Sequence, residues 1–185
     1  MTESPNLQLI HSQQNEPIKL GNIEIVCGAK ISKVPFPVGV QIIEDDTWQI
    51  LSADNKASIS DEHPIRLMTG LIDQLPLSAV NLVVKGNHWQ AVIMDIDQNP
   101  VCRRGWIVDI YKQIFEQVLN DHISEISLPL LGVRHECVEM SDSLGILVDS
   151  IKLLQGDSLL RIWLKLPEKD INMAVRLLDG ITDNK

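Results

Sequence analysis

The second half of the chain alternates helix patterns with strand patterns. Residues 103–121 carry apolar side chains every three or four positions, which predicts a long helix with one buried stripe. The stripe contains Trp106, Ile107, Ile110, Ile114, Val118 and Leu119. Ser141 is a favourable N-cap for a second helix that ends at Leu154, and residues 170–179 predict a third helix that Gly180 ends.

Two strand patterns lie between these helices. Residues 126–131 are almost wholly apolar, as expected of a strand that is buried on both faces. Residues 159–166 alternate apolar side chains with Arg161, Trp163 and Lys165, which predicts one packed face and a place near a sheet edge. Strands that alternate with helices predict an α/β fold of three layers (α/β/α), with a mixed, mostly parallel sheet between helices.

The first half of the chain contains shorter strand patterns. Residues 22–31 alternate apolar and polar positions, and residues 40–43 are again extended. Residues 48–53 predict a further strand. Between the last two, the acidic residues 44–46 (Glu-Asp-Asp) predict a solvated turn.

A helix and a hairpin complete this half. Residues 64–75 have apolar side chains at helical spacing, and Pro64 is acceptable in a first turn. Residues 79–85 and 89–95 are apolar runs that a short segment with Gly86 separates. This arrangement predicts a β-hairpin.

The chain length of 185 residues is that of one ordinary domain. We expect this domain over residues 22–180, before a frayed tail at residues 181–185. Residues 1–21 form an N-terminal segment in which residues 7–10 predict an added edge strand. The N-terminus lacks the basic and apolar pattern of a signal peptide, and no run reaches the roughly 18 apolar residues of a membrane helix.

Composition narrows the function classes. Apolar residues make up 44% and charged residues 22% of the chain, which is typical of a globular protein. The net charge of -9 argues against binding to nucleic acids or anionic membranes, because both need a basic surface. Cys27, Cys102 and Cys137 lack CxxC spacing and predict free thiols in a reducing compartment, the cytoplasm.

The main candidate site is the loop that follows residues 126–131. Open α/β sheets bind ligands where a buried strand ends and a helix begins. Gly132, Val133, Arg134 and His135 occupy this loop and are the candidate ligand contacts. The guanidinium of Arg134 suits a phosphate or a carboxylate, but a solvated loop residue is the alternative.

The segment His135-Glu136-Cys137 allows other chemistry. A thiol nucleophile needs a base and an orienting third group, and a zinc site needs three or four ligands. The sequence has no second His/Cys cluster at ligand spacing, so we expect neither a metal nor a cofactor. A polar loop with a half-buried cysteine is the plainer interpretation.

Asp54 and Asn55 follow the strand predicted over residues 48–53. Contact with a ligand at this strand end is one interpretation. Capping of the strand and turn, which Asp and Asn side chains commonly provide, is the other.

The order of elements and several strings resemble the macro domain family over roughly residues 22–178. Residues 22–31 (NIEIVCGAKI) resemble its first strand, and residues 48–55 (WQILSADN) resemble the strand that ends in Asn-Ala-Ala-Asn. Residues 103–133 resemble its long helix and the next strand with a Pro-x-x-Gly loop, and residues 159–178 its closing strand and helix. The resemblance implies a cleft for ADP-ribose or a related nucleotide.

The sequence departs from the family pattern at most binding positions. Ala29 stands where the family has the acidic residue that recognises the adenine amine. Asn55 matches the asparagine that touches the distal ribose and takes part in hydrolysis in active members. Residues 61–64 (Asp-Glu-His-Pro) replace a glycine run beside the diphosphate, and Arg134 replaces the second glycine of a Gly-x-Gly loop.

Two functions therefore stay open. The first is a divergent macro-like module that binds a nucleotide-derived, ADP-ribose-like or other small anionic ligand; any residual ADP-ribosyl hydrolysis would use Asn55 as the catalytic candidate. The second is a macro-fold scaffold without a ligand site that acts through protein contacts, including homo-oligomerisation. A third reading, a lone amino-terminal domain like that of leucine aminopeptidases, predicts no catalysis of its own.

Overall fold

A mixed sheet forms the centre of the computed structural model, which describes residues 16–29, 34–52, 75–154 and 160–183. Within these ranges the sheet has seven strands. They are β1 (Ile18–Leu20), β2 (Ile23–Ala29), β3 (Val40–Asp46), β4 (Asn81–Lys85), β5 (His88–Met94), β6 (Glu125–Pro129) and β7 (Leu160–Leu166).

The strand order is β1-β2-β7-β6-β3-β5-β4. Strands β2, β7, β6, β3 and β5 are parallel to their neighbours, whereas β1 and β4 pair antiparallel at the two edges. The predicted mixed, mostly parallel sheet and the predicted hairpin, β4–β5, are confirmed. Parallel pairing brings the carboxyl ends of five strands to one edge, where open α/β sheets bind ligands.

The described helices are α1 (Arg104–Asn120), α2 (Met140–Lys152) and α3 (Ile171–Asp183), and a 3-10 turn at Glu168–Asp170 precedes α3. Helix α1 packs on α2, and α2 packs on α3. The predicted stripe of α1 is buried, except that Trp106 is half-buried and Leu119 is 40% exposed. No described helix has both the length and the apolar character needed to cross a membrane.

Two predicted helix ends are wrong. The N-cap of α2 is Glu139, not Ser141, and its side chain makes no capping hydrogen bond. Helix α3 continues through Gly180 to Asp183, because a glycine is tolerated inside a helix whose apolar stripe extends beyond it.

The acidic segment after residue 43 is not a solvated turn. Strand β3 includes it. The strand predicted over residues 48–53 is wrong for the described residues 48–52, which form turns and irregular backbone instead. The cause is the carboxylate of Asp46, which accepts the N–H groups of Trp48 at 2.7 Å and Leu51 at 2.9 Å. An aspartate in this role closes a turn more effectively than an alternating pattern extends a strand.

Two predicted elements lie outside the described residues. These are the edge strand at residues 7–10 and the helix at residues 64–75, apart from Leu75 at its end.

Strand β7 lies between β2 and β6, so its predicted place near a sheet edge is wrong. Its polar face is covered: the guanidinium of Arg161 donates to Glu125 and lies 4.8 Å from the centroid of the Phe36 ring. Trp163 is buried against Val26 and Phe36. Long polar side chains can cover apolar neighbours, so a covered strand face can have the same sequence pattern as an exposed one.

The prediction of free thiols is wrong for two of the three cysteines. Cys102 and Cys137 form a disulfide, with Cα atoms 5.6 Å apart. Cys27 is free and buried, and its burial raises the pKa of the thiol to about 12.

The loop between β6 and α2 is held by hydrogen bonds from two helices. The N–H of Leu131 donates to the hydroxyl of Tyr111 in α1 at 3.1 Å. The hydroxyl of Ser143 in α2 donates to the carbonyl of Leu131 at 2.7 Å. All three residues are buried, so the peptide groups of Leu131 exchange water for two side-chain hydroxyls.

We predict that Tyr111→Phe lowers the free energy of unfolding by about 1–3 kcal/mol, because the buried N–H of Leu131 then loses its acceptor. Urea denaturation measures this change. Ser150→Ala is the control, since the one described hydrogen bond of the Ser150 hydroxyl is to the carbonyl of Ile146 within its own helix. Equal destabilisation by the two variants would contradict the role of Tyr111 in holding the loop.

We also predict that Ile110→Ala lowers the free energy of unfolding by about 2–5 kcal/mol, because it leaves a cavity in the hydrophobic core. Leu119→Ala in the same helix should cost less than about 1 kcal/mol, because this side chain is partly exposed. Thermal and urea unfolding measure both changes. A cost for Leu119→Ala that matches Ile110→Ala would place the packed stripe elsewhere.

Candidate functional site

An open groove of about 1310 Å³ lies at the carboxyl ends of β3, β6 and β7. Its walls are residues 41–44 of β3, the loop of residues 130–139 and the turn after β7. Ionisable side chains on the wall include Glu44, Arg104, Arg134 and His135. The groove therefore occupies the predicted position at the end of parallel strands.

Glu44 joins the end of β3 to the loop. Its Oε1 atom accepts the N–H of Gly132 at 2.5 Å. Burial raises the pKa of Glu44 to about 7, although the Gly132 N–H and the nearby Arg134 guanidinium act in the opposite direction. At neutral pH the carboxyl group thus exists in both protonation states.

The neighbouring acids serve a different purpose. Asp45 is fully buried and accepts hydrogen bonds from the N–H of Ser52 at 3.2 Å and from the side chain of Gln90 at 3.0 Å. Burial raises the pKa of Asp45, and hydrogen bonds from Ser52 and from the N–H of Asp46 oppose the shift. Asp45 and Asp46 thus build the turn after β3, and Glu44 alone of the three lines the groove.

Gly132 occupies a position where any side chain would be strained. Its φ is +79°, a conformation that L side chains rarely adopt. A Cβ atom there would also lie 2.9 Å from Ile107 and 3.2 Å from Val138. The glycine lets the loop pass close to α1 while its N–H points at Glu44.

The predicted loop residues lie together. Val133, Arg134 and His135 line the groove, and Gly132 precedes them. Arg134 is exposed and His135 is half-buried. Burial, and then the charge of Arg134, lower the pKa of His135, while Asp46 opposes them, so the imidazole is neutral at pH 7.

The loop does not support the alternative of thiol or metal chemistry. Cys137 is in the disulfide with Cys102, so it carries no thiolate in this structure. Among the described residues, no three His, Cys, Asp or Glu side chains are placed to share a metal ion.

The other predicted contacts, Asp54 and Asn55, lie outside the described residues, as do residues 61–64. The strand that follows β2 along the chain is β3 rather than residues 48–53. Strand β3 therefore borders the groove through Glu44, and the turns after it contribute Leu51.

Sequence reasoning missed Glu44 and Tyr111. An acidic residue directly after an apolar strand was the available signal for Glu44, but a surface turn gives the same signal. Tyr111 lies beside the apolar stripe of α1, and a buried hydroxyl needs a hydrogen-bond partner. The sequence contained this hint but not the identity of the partner.

Comparison with known proteins gives fold relatives only in solved structures. No protein-family model and no curated protein sequence matches the chain. The macrodomain of Oceanobacillus iheyensis with ADP superposes with a TM-score of 0.65 at 13% identity, over 91% of this chain and 97% of that chain. The macrodomain of Thermus aquaticus DarG gives a TM-score of 0.52 at 12% identity, over 78% and 98%.

A Trypanosoma brucei macrodomain in complex with ADP gives a TM-score of 0.55 at 10% identity, over 84% of this chain and 68% of that chain. These superpositions confirm the predicted three-layer α/β/α class, with the sheet order described above. The chain is a divergent protein with the macrodomain fold.

Proposed function

We propose that the groove binds a small anionic ligand derived from a nucleotide, of the ADP-ribose class. The observation that carries the proposal is the open groove at the carboxyl ends of β3, β6 and β7, bordered by the loop of residues 130–139. Structures with this fold include an Oceanobacillus iheyensis macrodomain with ADP and a variant of it with ADPR. Similar fold and an open groove at the expected strand ends support the same ligand class here.

The loop offers donors for an anion. Arg134 and Arg104 border the groove, and a guanidinium can bind a phosphate through two hydrogen bonds. Within the described residues, no hydrogen bond is made by the backbone N–H groups of Arg134 and His135. These four groups provide both charge and directional donors at one side of the groove.

In this proposal the protein recognises the ligand through its phosphate groups rather than through its adenine. Ala29 ends β2 with a buried methyl group and has no carboxylate for an adenine amine. Asp54 and Asn55 complete the proposed contacts, and they stay predictions because they lie outside the described residues. Hydrolysis is not part of the proposal.

The alternative, a macro-fold scaffold that acts through protein contacts or self-association, is favoured by one observation. The N–H of Gly132 is already occupied by Glu44.

A cytoplasmic location also stays a prediction, although the Cys102–Cys137 disulfide removes part of its basis in free thiols.

We predict that ADP-ribose binds and that Arg134→Ala weakens the Kd about tenfold, or about 1.4 kcal/mol, because a charge-assisted contact to phosphate is lost. Isothermal titration calorimetry at low salt measures both. Arg176→Ala is the matched control, because it removes the same charge from an exposed position on α3 that does not line the groove.

Three results decide the proposal. Binding that only Arg134→Ala weakens supports it. Equal weakening by Arg176→Ala would indicate a nonspecific charge effect and contradict the site. Absence of binding to ADP-ribose and to ADP would favour the scaffold.

A further inference from the structure

The carboxyl group of Glu44 occupies the position beside the Gly132 N–H where the anion of a ligand would be expected. A loop N–H at the carboxyl end of a parallel sheet is a natural donor to a ligand phosphate. Here that N–H donates to a carboxylate of the protein, over 2.5 Å and between two elements 88 residues apart in the chain. The contact therefore belongs to the tertiary structure of the groove and not to a local turn.

The surroundings of Glu44 would allow a ligand phosphate to replace it as the acceptor of the Gly132 N–H. Glu44 lines the open groove, so a ligand can reach it. Arg134 attracts its carboxylate from the loop, in competition with any phosphate at the same place. The N–H groups of Arg134 and His135, which carry no hydrogen bond within the described residues, follow directly after Gly132 and Val133 in this loop.

We propose that Glu44 determines which ligands the groove accepts, because its carboxylate holds the Gly132 N–H that a ligand phosphate needs. The inference rests on the proposed function. A dianionic ligand binds only when the carboxylate is displaced or takes up a proton, so binding of the anion and uptake of a proton are coupled. An ionised Glu44 repels the phosphate, whereas a protonated Glu44 does not.

The other titratable groups near Glu44 limit the pH range in which this coupling is seen. Burial raises the pKa of Tyr111 in α1, so its hydroxyl stays neutral. The pKa of His135 is lowered from 6.5, and Asp46 keeps its carboxylate on the N–H groups of Trp48 and Leu51. Between pH 6 and pH 8, Glu44 is the group in this cluster whose charge changes most.

The test is calorimetric titration of the full chain with ADP-ribose from pH 6 to pH 8. Both phosphates of this probe are esterified, so it lacks the second ionisation near pH 6 of a phosphate monoester. With a Glu44 pKa of about 7, the protonated fraction falls from roughly nine-tenths to one-tenth, and the Kd should rise roughly tenfold. Glu44→Gln keeps the shape and an acceptor for Gly132 but should bind with a Kd that does not change over this range.

Glu139→Gln is the matched control. It removes one negative charge from the same groove wall, but Glu139 is exposed and makes no hydrogen bond to Gly132. The control should keep the roughly tenfold dependence on pH. If Glu139→Gln and Glu44→Gln have the same effect, or if Glu44→Gln keeps the wild-type dependence, the inference is wrong.

A ligand-free measurement separates failure of this inference from failure of the proposed function. The amide proton of Gly132 should titrate with pH in nuclear magnetic resonance spectra of the wild-type protein and should not titrate in Glu44→Gln. A flat Gly132 signal in the wild type overturns the inference whatever binds. A titrating signal with no ADP-ribose binding to any variant overturns the proposed function, and the coupling proposed for it, but leaves the Glu44–Gly132 contact established.

Discussion

Parallel pairing in the centre of the sheet is the constraint on which the rest of the molecule depends. Since β2, β7, β6, β3 and β5 run the same way, their carboxyl ends meet at one edge, and each return connection must leave from it. The groove and the loop of residues 130–139 lie at this edge. Glu44 and Gly132 approach each other because β3 and β6 are direct neighbours in the sheet.

The groove wall combines opposite charges. Arg104, Arg134, Lys165 and Lys169 favour an anion, whereas the acidic residues oppose it; these are Glu44, Glu136, Glu139, Asp142 and Asp170. A protein with a net charge of -9 gains little from long-range attraction of a nucleotide. The 2.5 Å hydrogen bond between Glu44 and Gly132 is the shortest polar contact described on the groove wall.

Much of the fold could be predicted from the sequence because its apolar positions follow clear periods. Helix α1 and strands β2, β5 and β6 were predicted because their apolar positions, most of which are buried, repeat at helical spacing or form strand-length runs. The prediction failed for β7, where a charged side chain also packs against an apolar one. Arg161 suggested an exposed face in β7, although its stem and guanidinium cover Phe36.

The candidate site was harder to predict than the fold, for a physical reason. Arg134 and His135 could be located, since a loop between a buried strand and a helix can be recognised in the chain. The partnership of Glu44 with Gly132 depends on which strands are neighbours, and periodicity carries no information about strand order. The pairing of Cys102 with Cys137 is hidden in the same way, since it joins the start of α1 to the loop.

The three attachments of the loop have a consequence for ligand affinity. Tyr111, Ser143 and the disulfide of Cys137 hold it to both adjoining helices before any ligand arrives. A loop that is already ordered loses little conformational entropy on binding, so more of the contact energy remains as affinity. Preorganisation of this kind would favour any ligand that contacts the loop, compared with a flexible loop of the same composition.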